Sequence, residues 1–348
     1  MRKLNFLFLC SLFLGCKSSY NEVSKTEETN TTSTNEIKLE TTGSTEFVDF
    51  IKEESIKEKV MQFAADSMQG RSTGTNGQKK AAEFLRDRYK SLGIDSPKGL
   101  DYFQNIPQDY FNGRSDLDSE NVLAIIKGST KPNEYLILSA HYDHIGMEED
   151  GTIYNGADDN ASGTIGLLEI ANAFNEAKKK GKGPKRSIVF LHVTGEEIGL
   201  YGSKYYTENP IFPLANTIAD LNVDMIGRVD DKHSNEPNYI YLIGSDRLSQ
   251  DLHDISEAVN KEYGGISFDY TFNEKNDPNR FYYRSDHYNF AKNDIPIIFY
   301  FNGVHDDYHE ATDTVEKINF PLLTKRSQLI FNTAWELANR EEKPRLNE

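Results

Sequence analysis

Apolar and polar positions divide the chain into three regions. Residues 4–14 form one continuous apolar run, residues 17 to about 45 are mostly polar, and from Phe47 onward apolar positions recur periodically. Helical spacing of apolar residues predicts helices near 50–63 and 81–92 and over 162–179, 200–208, 248–263, 285–292 and 321–339. Short apolar runs bounded by turn residues predict strands over 121–127, 134–140, 187–193, 218–223, 239–243, 266–271 and 296–301.

The order of these elements predicts the fold class. Strands alternate with helices, as in sheets whose parallel strands are joined by helical crossovers. We therefore predict an α/β fold with a mixed, largely parallel central sheet covered by helices on both faces. All of these elements fit in one catalytic domain over residues 46–348, with its active site beyond the carboxyl ends of the strands.

The first region is typical of an export signal. Arg2 and Lys3 precede the apolar run, which is too short to span a membrane as a helix. The run ends in Leu-Phe-Leu-Gly-Cys at 12–16, which resembles a bacterial lipoprotein signal. This predicts a signal peptide over 1–15, acylation of Cys16, and a flexible polar tether over 16–45. The protein is then exported to the bacterial cell envelope, on the periplasmic side or at the cell surface. The alternative is a buried N-terminal helix.

Composition narrows the class of partner. Hydrophobic residues make up 37% of the 348 residues, which suffices for a sizeable core, and the formal net charge is −16. Because such a surface repels phosphate, we exclude nucleic acid as a partner. Membrane contact is expected through the lipid anchor only, and the sequence carries no signal for an oligomeric state. Cys10 and Cys16 are the only cysteines, so the mature chain has no disulfide and no thiolate ligand.

Side chains with metal-binding chemistry follow the best-defined predicted strands. His141 and Asp143 follow 134–140, Glu196 and Glu197 follow 187–193, Asp224 follows 218–223, His305 and His309 follow 296–301, and Asp159 lies in the turn before the helix at 162. We expect these residues to meet at one edge of the sheet. Divalent cations would relieve the repulsion among the carboxylates. Histidine with carboxylate, and no thiolate, favours zinc, with cobalt or manganese as substitutes.

These motifs, in this order, resemble metallopeptidase family twenty-eight, the group of bacterial leucyl aminopeptidases and glutaminyl cyclases. The resemblance rests on His-Tyr-Asp at 141–143, Asp-Asn-Ala-Ser-Gly at 159–163, Glu-Glu at 196–197, Asn-Val-Asp-Met at 222–225 and the loop containing His309. It implies that Asp159 bridges two zinc ions, one also bound by His141 and Asp224 and the other by Glu197 and His309. It further implies a cis peptide bond between Asp159 and Asn160.

The resemblance also implies roles around the metal ions. Glu196 is the expected general base, and Asp143 is expected to hold the His141 ring. Tyr308 is the expected oxyanion-stabilising residue, with Tyr282 and Tyr283 as competitors.

Several nearby residues admit more than one assignment. Asp286 and His287 resemble a segment that lines the substrate pocket and are expected behind the metal ligands. His305 is the rival of His309, which we favour because Asp313 follows it at the family spacing. His144 and His192 are predicted to be structural, Asp158 is expected to shape its loop, and Arg71 is either a substrate contact or a surface charge.

The function implied by the resemblance is that of a zinc aminopeptidase acting on peptides. A hydroxide shared by the two ions would attack the first peptide carbonyl while Glu196 transfers its proton to the leaving amine. Three alternatives stay open: a glutaminyl cyclase, a carboxypeptidase on the same scaffold, and a non-catalytic surface-binding module. The intact Glu196 argues against the last.

Overall fold

The computed structural model describes residues 37–41 and 44–348. The predicted signal peptide, Cys16 and most of the predicted tether therefore lie outside the described residues. The helices are α1 Thr45–Val48, α2 Glu53–Phe63, α3 Asn76–Leu92, α4 Gly163–Lys179, α5 Tyr201–Glu208, α6 Gln250–Val259, α7 His287–Ala291 and α8 Phe320–Asn339. The strands are β1 Phe103–Ile106, β2 Ser119–Ile126, β3 Lys131–His141, β4 Gly146–Met147, β5 Ile153–Tyr154, β6 Arg186–Val193, β7 Thr217–Val223, β8 Tyr239–Ile243, β9 Ser267–Asp269 and β10 Ile297–Phe301.

Eight of these strands form one sheet in the order β1-β2-β6-β3-β7-β10-β8-β9. The four central strands, β6, β3, β7 and β10, run parallel, whereas β1, β2 and β8 pair antiparallel with their inner neighbours. The prediction of a mixed, largely parallel sheet is confirmed. The parallel centre matters most for function, because it brings the carboxyl ends of four strands to one edge.

Helices cover both faces of the sheet, as predicted. Along β3 the side chains alternate, so that Leu136 and Leu138 pack with α2, α3, α4 and α8 on one face. Tyr135 and Ile137 point to the other face, where α5 and α7 contribute Tyr206 and Phe290. Since both faces are buried, the central strands read as nearly continuous apolar runs in the sequence.

The structure differs from the sequence prediction at several element boundaries. The apolar pattern over 50–63 does not form one helix, because Lys52 is extended and α2 begins only at Glu53, which leaves Phe50 and Ile51 outside it. The helix predicted over 248–263 leaves α-helical geometry after Val259 and continues as a wider turn over Asn260–Gly264. The short strands β1, β4 and β5 were not predicted, since two to four residues are too few to show a periodic pattern.

Residues 37–41, which fall within the predicted tether, contact the end of α8. The backbone N–H of Glu40 donates to Glu336 at 2.9 Å, and the Thr41 hydroxyl donates to the same carboxylate at 2.6 Å. Ile37 and Leu39 pack against the core. This segment therefore belongs with the folded region. Among the described helices, none combines the length and the apolar character needed to cross a bilayer.

Arg71 is completely buried and links segments next to the candidate metal ligands. Its guanidinium donates to the carbonyls of Tyr142 and Gly156, each at 2.9 Å, and of Asn155 at 2.6 Å. Tyr142 directly follows His141, and Gly156 lies three residues before Asp159. Arg71 is therefore a structural residue that fixes two loops, not a substrate contact.

We predict that Arg71→Met lowers the free energy of unfolding by about 3 kcal/mol or more, because buried carbonyls lose their charged donor. Urea denaturation measures this loss as a lower midpoint concentration, with an unchanged slope of unfolding free energy against urea concentration. Arg114→Met is the control, since Arg114 is exposed, and it should change stability by less than about 0.5 kcal/mol. Equal effects of the two substitutions would contradict the structural role of Arg71.

Candidate metal centre and active site

The residues singled out from the sequence converge at the carboxyl edge of the parallel strands. His141 ends β3, Glu196 and Glu197 follow β6, and Asp224 directly follows β7. His309 lies in the loop after β10, and Asp159 lies in the turn that leads into α4. Segments distant in sequence meet here because β3 lies between β6 and β7 in register.

The first group of possible ligands comprises His141, Asp159 and Asp224, all buried. Nε2 of His141 lies 3.2 Å from Oδ1 of Asp159 and 3.2 Å from Oδ1 of Asp224. The second oxygen of Asp224 accepts a hydrogen bond from the Ser285 hydroxyl at 2.7 Å, which fixes the carboxylate plane.

The second group comprises Asp159 and Glu197 with two imidazoles beside them, those of His144 and His309. Nε2 of His309 lies 3.2 Å from Oδ2 of Asp159 and 3.1 Å from Oε2 of Glu197. Thus the two oxygens of Asp159 face different groups. The rival His305 lies elsewhere, with its Nε2 3.1 Å from Oδ2 of Asp158.

The turn around Asp159 is held by a buried carboxylate. Asp313 accepts hydrogen bonds from the backbone N–H groups of Asp158, at 2.9 Å, and Asp159, at 3.0 Å. The Asn160 amide donates to the carbonyl of Val223 at 3.0 Å, so the turn is tied to the end of β7. The peptide bond between Asp159 and Asn160 is cis, as predicted.

Asp158 shapes this turn, as expected. Its Oδ1 accepts from the backbone N–H of Gly227 at 2.7 Å, and its Oδ2 accepts from the Asn302 amide at 3.0 Å. Both oxygens are therefore used in joining the turn to the loops after β7 and β10.

The spacing of donor atoms fits zinc. Two ligands bound at about 2.0–2.1 Å in a tetrahedral site lie about 3.3 Å apart. The nitrogen–oxygen separations of 3.1–3.2 Å in both groups are close to that value. Imidazole and carboxylate without thiolate are also the donor types expected for this metal.

The electrostatics of the cluster favour bound cations. Although burial lowers the pKa of His141, Asp224 and Asp159 raise it above its usual range. Burial also lowers the pKa of His309, but hydrogen bonds to Asp159 and Glu197 raise it to about 10. The carboxylates thus draw positive charge onto both imidazoles, and divalent cations would supply that charge instead.

Glu196 and Asp143 lie against the first group. Burial raises the pKa of Glu196 well above its usual range, and the neighbouring Glu197 raises it further. The backbone N–H of Glu196 donates to Oδ1 of Asp143 at 3.3 Å, and the Thr73 hydroxyl donates to Oδ2 at 2.7 Å. Nδ1 of His141 lies 3.2 Å from the carbonyl oxygen of Asp143 but 3.8 Å from its carboxylate. Asp143 therefore holds the imidazole mainly through its backbone.

Two further residues predicted from the sequence, Tyr308 and Asp286, make different contacts around the site. Tyr308 stacks on the His309 ring with centroids 3.8 Å apart and lies close enough to Asp159 for that charge to help raise its pKa, after burial. Asp286 lies near Glu196 and accepts from the Ser203 hydroxyl at 2.5 Å, and burial raises its pKa to about 7.

His287 does not face the ligand groups. Its Nε2 donates to the carbonyl of Tyr282 at 2.8 Å, and its ring stacks on Phe299. Burial lowers its pKa to about 3, so the ring is neutral. These contacts give His287 a packing role between α7 and β10.

His144 is a residue of the site that the sequence prediction missed. Its Nδ1 lies 2.7 Å from Oε1 of Glu197 and 3.7 Å from Oδ2 of Asp159. The distance of 2.7 Å is that of a charge-assisted hydrogen bond and is too short for two ligands of one tetrahedral ion. His144 therefore orients Glu197. The feature of the sequence that could have identified His144 as a site residue is its position three residues after His141.

Comparison with known protein families identifies the family to which this chain belongs. A family model described as Peptidase family M28 matches residues 121–334. The matched region begins in β2, ends in α8 and includes every member of the two ligand groups.

Similar curated proteins include peptidases of several kinds. Leupeptin-inactivating enzyme 1 of Streptomyces exfoliatus is 26% identical over 295 residues, which cover 79% of this chain and 58% of that protein. Aminopeptidase NAALADL1 of Mus musculus is 40% identical over 109 residues, or 31% of this chain and 14% of that protein. The chain thus spans less than two thirds of the length of these relatives.

Solved structures share the fold. The LapA aminopeptidase of Legionella pneumophila matches with a TM-score of 0.67 and 21% identity, covering 86% of this chain and 75% of that one. A Zn-dependent exopeptidase of Parabacteroides distasonis matches with a TM-score of 0.65 and 18% identity, covering 82% and 98%.

We predict that a strong zinc chelator at neutral pH lowers the melting temperature, because removal of the cations leaves Asp159, Glu197 and Asp224 uncompensated. Differential scanning calorimetry with and without chelator measures the change, and re-addition of zinc should restore the original value. A melting temperature that is the same in all three samples would contradict the presence of a stabilising metal.

We predict that His144→Ala weakens zinc binding about 10- to 100-fold, because Glu197 loses the donor that orients it. His144→Asn should recover much of this affinity, since its amide can donate to the same oxygen. Zinc competition with a chromogenic chelator gives the affinities, and His253→Ala, which removes a partner of Ser245, is the control. No loss in His144→Ala would exclude this orienting role.

Proposed function

Because the chain belongs to peptidase family M28, we propose that it is an aminopeptidase with two zinc ions that removes N-terminal residues from peptides. The observation that carries the proposal is the orientation of Asp159. Its Oδ1 faces His141 and its Oδ2 faces His309, each at 3.2 Å. A carboxylate placed in this way is suited to bridging two cations.

Five residues would hold the ions in this proposal. Asp159 would be shared, His141 and Asp224 would complete one site, and Glu197 and His309 would complete the other. Bound zinc supplies Lewis acidity to the peptide carbonyl and lowers the pKa of water.

Glu196 would serve as the general base. It lies beside both groups, and a carboxylate whose pKa is raised by burial accepts a proton more readily near neutral pH. It would take the proton of the attacking water and deliver it to the leaving amine. Asp143 holds the backbone N–H of Glu196 and limits the movement of this base.

Tyr308 is the proposed donor to the developing oxyanion. Its stacking on His309 places the ring beside the second group of ligands, and its raised pKa keeps the hydroxyl protonated and able to donate. Tyr283, its competitor from the sequence, instead lines a separate cavity of about 320 Å³ with Arg247 and Arg280.

We further propose that the protein works in the bacterial cell envelope, held by acylation at Cys16. This rests on the sequence of residues 1–16, which lie outside the described residues. Peptides that reach the envelope are then the substrates.

The test is turnover of a substrate panel by the zinc-loaded protein. We predict cleavage of peptides with a free N-terminus and no cleavage of N-acetylated ones. Release of a C-terminal residue from N-acetylated peptides would indicate a carboxypeptidase, a possibility raised by a relative described as a probable glutamate carboxypeptidase of Arabidopsis thaliana. Cyclisation of N-terminal glutamine would indicate a glutaminyl cyclase, and inactivity on all substrates would indicate a binding module.

In the same assay, Glu196→Gln should lower kcat by about 10²–10⁴-fold and leave the zinc content unchanged, because a base is lost but no ligand. Glu149→Gln is the matched control, since Glu149 is exposed on the turn between β4 and β5. Full activity of Glu196→Gln would refute its role, and so would a loss of zinc that accounts for the inactivity.

A further inference from the structure

Two loops at the amino-terminal edge of the sheet are rich in lysine. Residues 127–131, from the end of β2 to the first residue of β3, and residues 178–185, from the last turn of α4 to the start of β6, contain seven lysines and no acidic residue. Subtracting these seven charges from the net charge of −16 leaves −23 on the rest of the chain. The basic loops are therefore an exception on an otherwise strongly acidic protein.

The two loops form one surface. The backbone N–H of Ser129 donates to the carbonyl of Pro184 at 2.9 Å, and that of Lys131 donates to the carbonyl of Lys185 at 2.8 Å. We call this surface the lysine pole; its members are Lys127, Lys131, Lys178, Lys179, Lys180, Lys182 and Lys185. Five of these side chains are exposed, and those of Lys131 and Lys185 are half-buried.

The lysine pole and the candidate active site lie at opposite edges of the sheet. β3 begins at Lys131 in the pole and ends at His141 in the site. A strand rises about 3.3 Å per residue, so the ends of β3 are about 30 Å apart. β6 has the same direction, from the pole toward Glu196.

The first described segment, residues 37–41, contacts residues beside this pole. The backbone N–H of Glu341 donates to the Glu40 carboxylate at 2.6 Å, and the Glu341 side chain pairs with Lys131 at 2.8 Å. Glu40 is thus near the pole, and it lies twenty-four positions after Cys16 in the sequence.

Carboxylates facing the lysine pole compensate only part of its charge. They are Asp95, Glu176, Glu46 and Glu341, which pair with Lys178, Lys179, Lys180, Lys182, Lys131 and Lys185 at 2.5–3.9 Å. Four carboxylates against seven lysines leave an excess of three positive charges. The adjoining terminal segments are nearly balanced, with Lys38, Arg340, Lys343 and Arg345 against Glu40, Asp251 and Glu342.

We propose that the lysine pole rests on an anionic lipid surface, so that the candidate active site faces away from the membrane. An anionic surface repels a protein of net charge −16, and the repulsion is reduced in an orientation that presents the basic region. Each lysine near such a surface strengthens binding about fivefold. The excess charge of the pole alone therefore gives only weak binding to the membrane. The role of the pole is to orient the domain, and this inference rests on the proposed anchor at Cys16, which would hold the protein at the membrane.

The experiment uses residues 17–348, which contain every described element and no cysteine. A single cysteine introduced by Thr130→Cys at the pole or by Glu149→Cys near the site carries an environment-sensitive dye. Both positions are exposed. Titration with phosphatidylglycerol vesicles at low salt should change the emission of the pole probe only. Phosphatidylcholine vesicles, and phosphatidylglycerol vesicles at high salt, should give no response.

Charge reversal supplies the matched control. Lys179→Glu with Lys182→Glu should weaken binding to phosphatidylglycerol vesicles at least about tenfold, because attraction is replaced by repulsion. Lys232→Glu with Lys275→Glu makes the same change in net charge away from the pole and should have a smaller effect. An equal loss in both pairs, an equal response of both probes, or no binding would overturn the proposal. Peptidase activity is read separately in each variant, so failure of the proposed function would not be mistaken for failure of this one.

Discussion

Mutual repulsion of buried carboxylates is the constraint on which the site depends. Glu197 and Asp224 follow parallel strands, Asp159 in the turn before α4 lies close to each of them, and the three carboxylates would destabilise the fold if nothing compensated them. The two imidazoles provide part of the compensation, and their raised pKa values show how strongly the cluster attracts positive charge. A metal site of this kind contributes to folding as well as to chemistry.

Around the candidate ligands, buried polar groups form hydrogen bonds that fix the positions of the loops. Asp313 fixes the turn of Asp159, Asp158 joins that turn to two neighbouring loops, and Arg71 binds the carbonyls beside His141 and Asp159. These groups contribute no ligand atom. They decide where the ligand atoms lie, because each carbonyl or N–H they satisfy belongs to a segment that is otherwise irregular.

The sequence predicted a mixed, largely parallel sheet and the residues that meet at its edge, because buried strands are continuous apolar runs and polar residues follow their ends. It failed where tertiary contacts decide. His144 was predicted to be structural, since its partner Glu197 is distant in sequence. The hydrogen bond between His287 and the carbonyl of Tyr282 also has no signal in the sequence. Lys52 divides a region whose apolar spacing fits one helix.

The separation of Lys131 from His141 along β3 has an evolutionary consequence. Loops at one edge of the sheet carry the candidate metal ligands, and loops at the other edge carry the basic surface, with residues 135–140 of β3 buried between them. Substitutions in the loops of one edge therefore need not contact the loops of the other. With the roles proposed for the two edges, attachment could change over evolution without altering the chemistry, and substrate preference could change without altering the attachment.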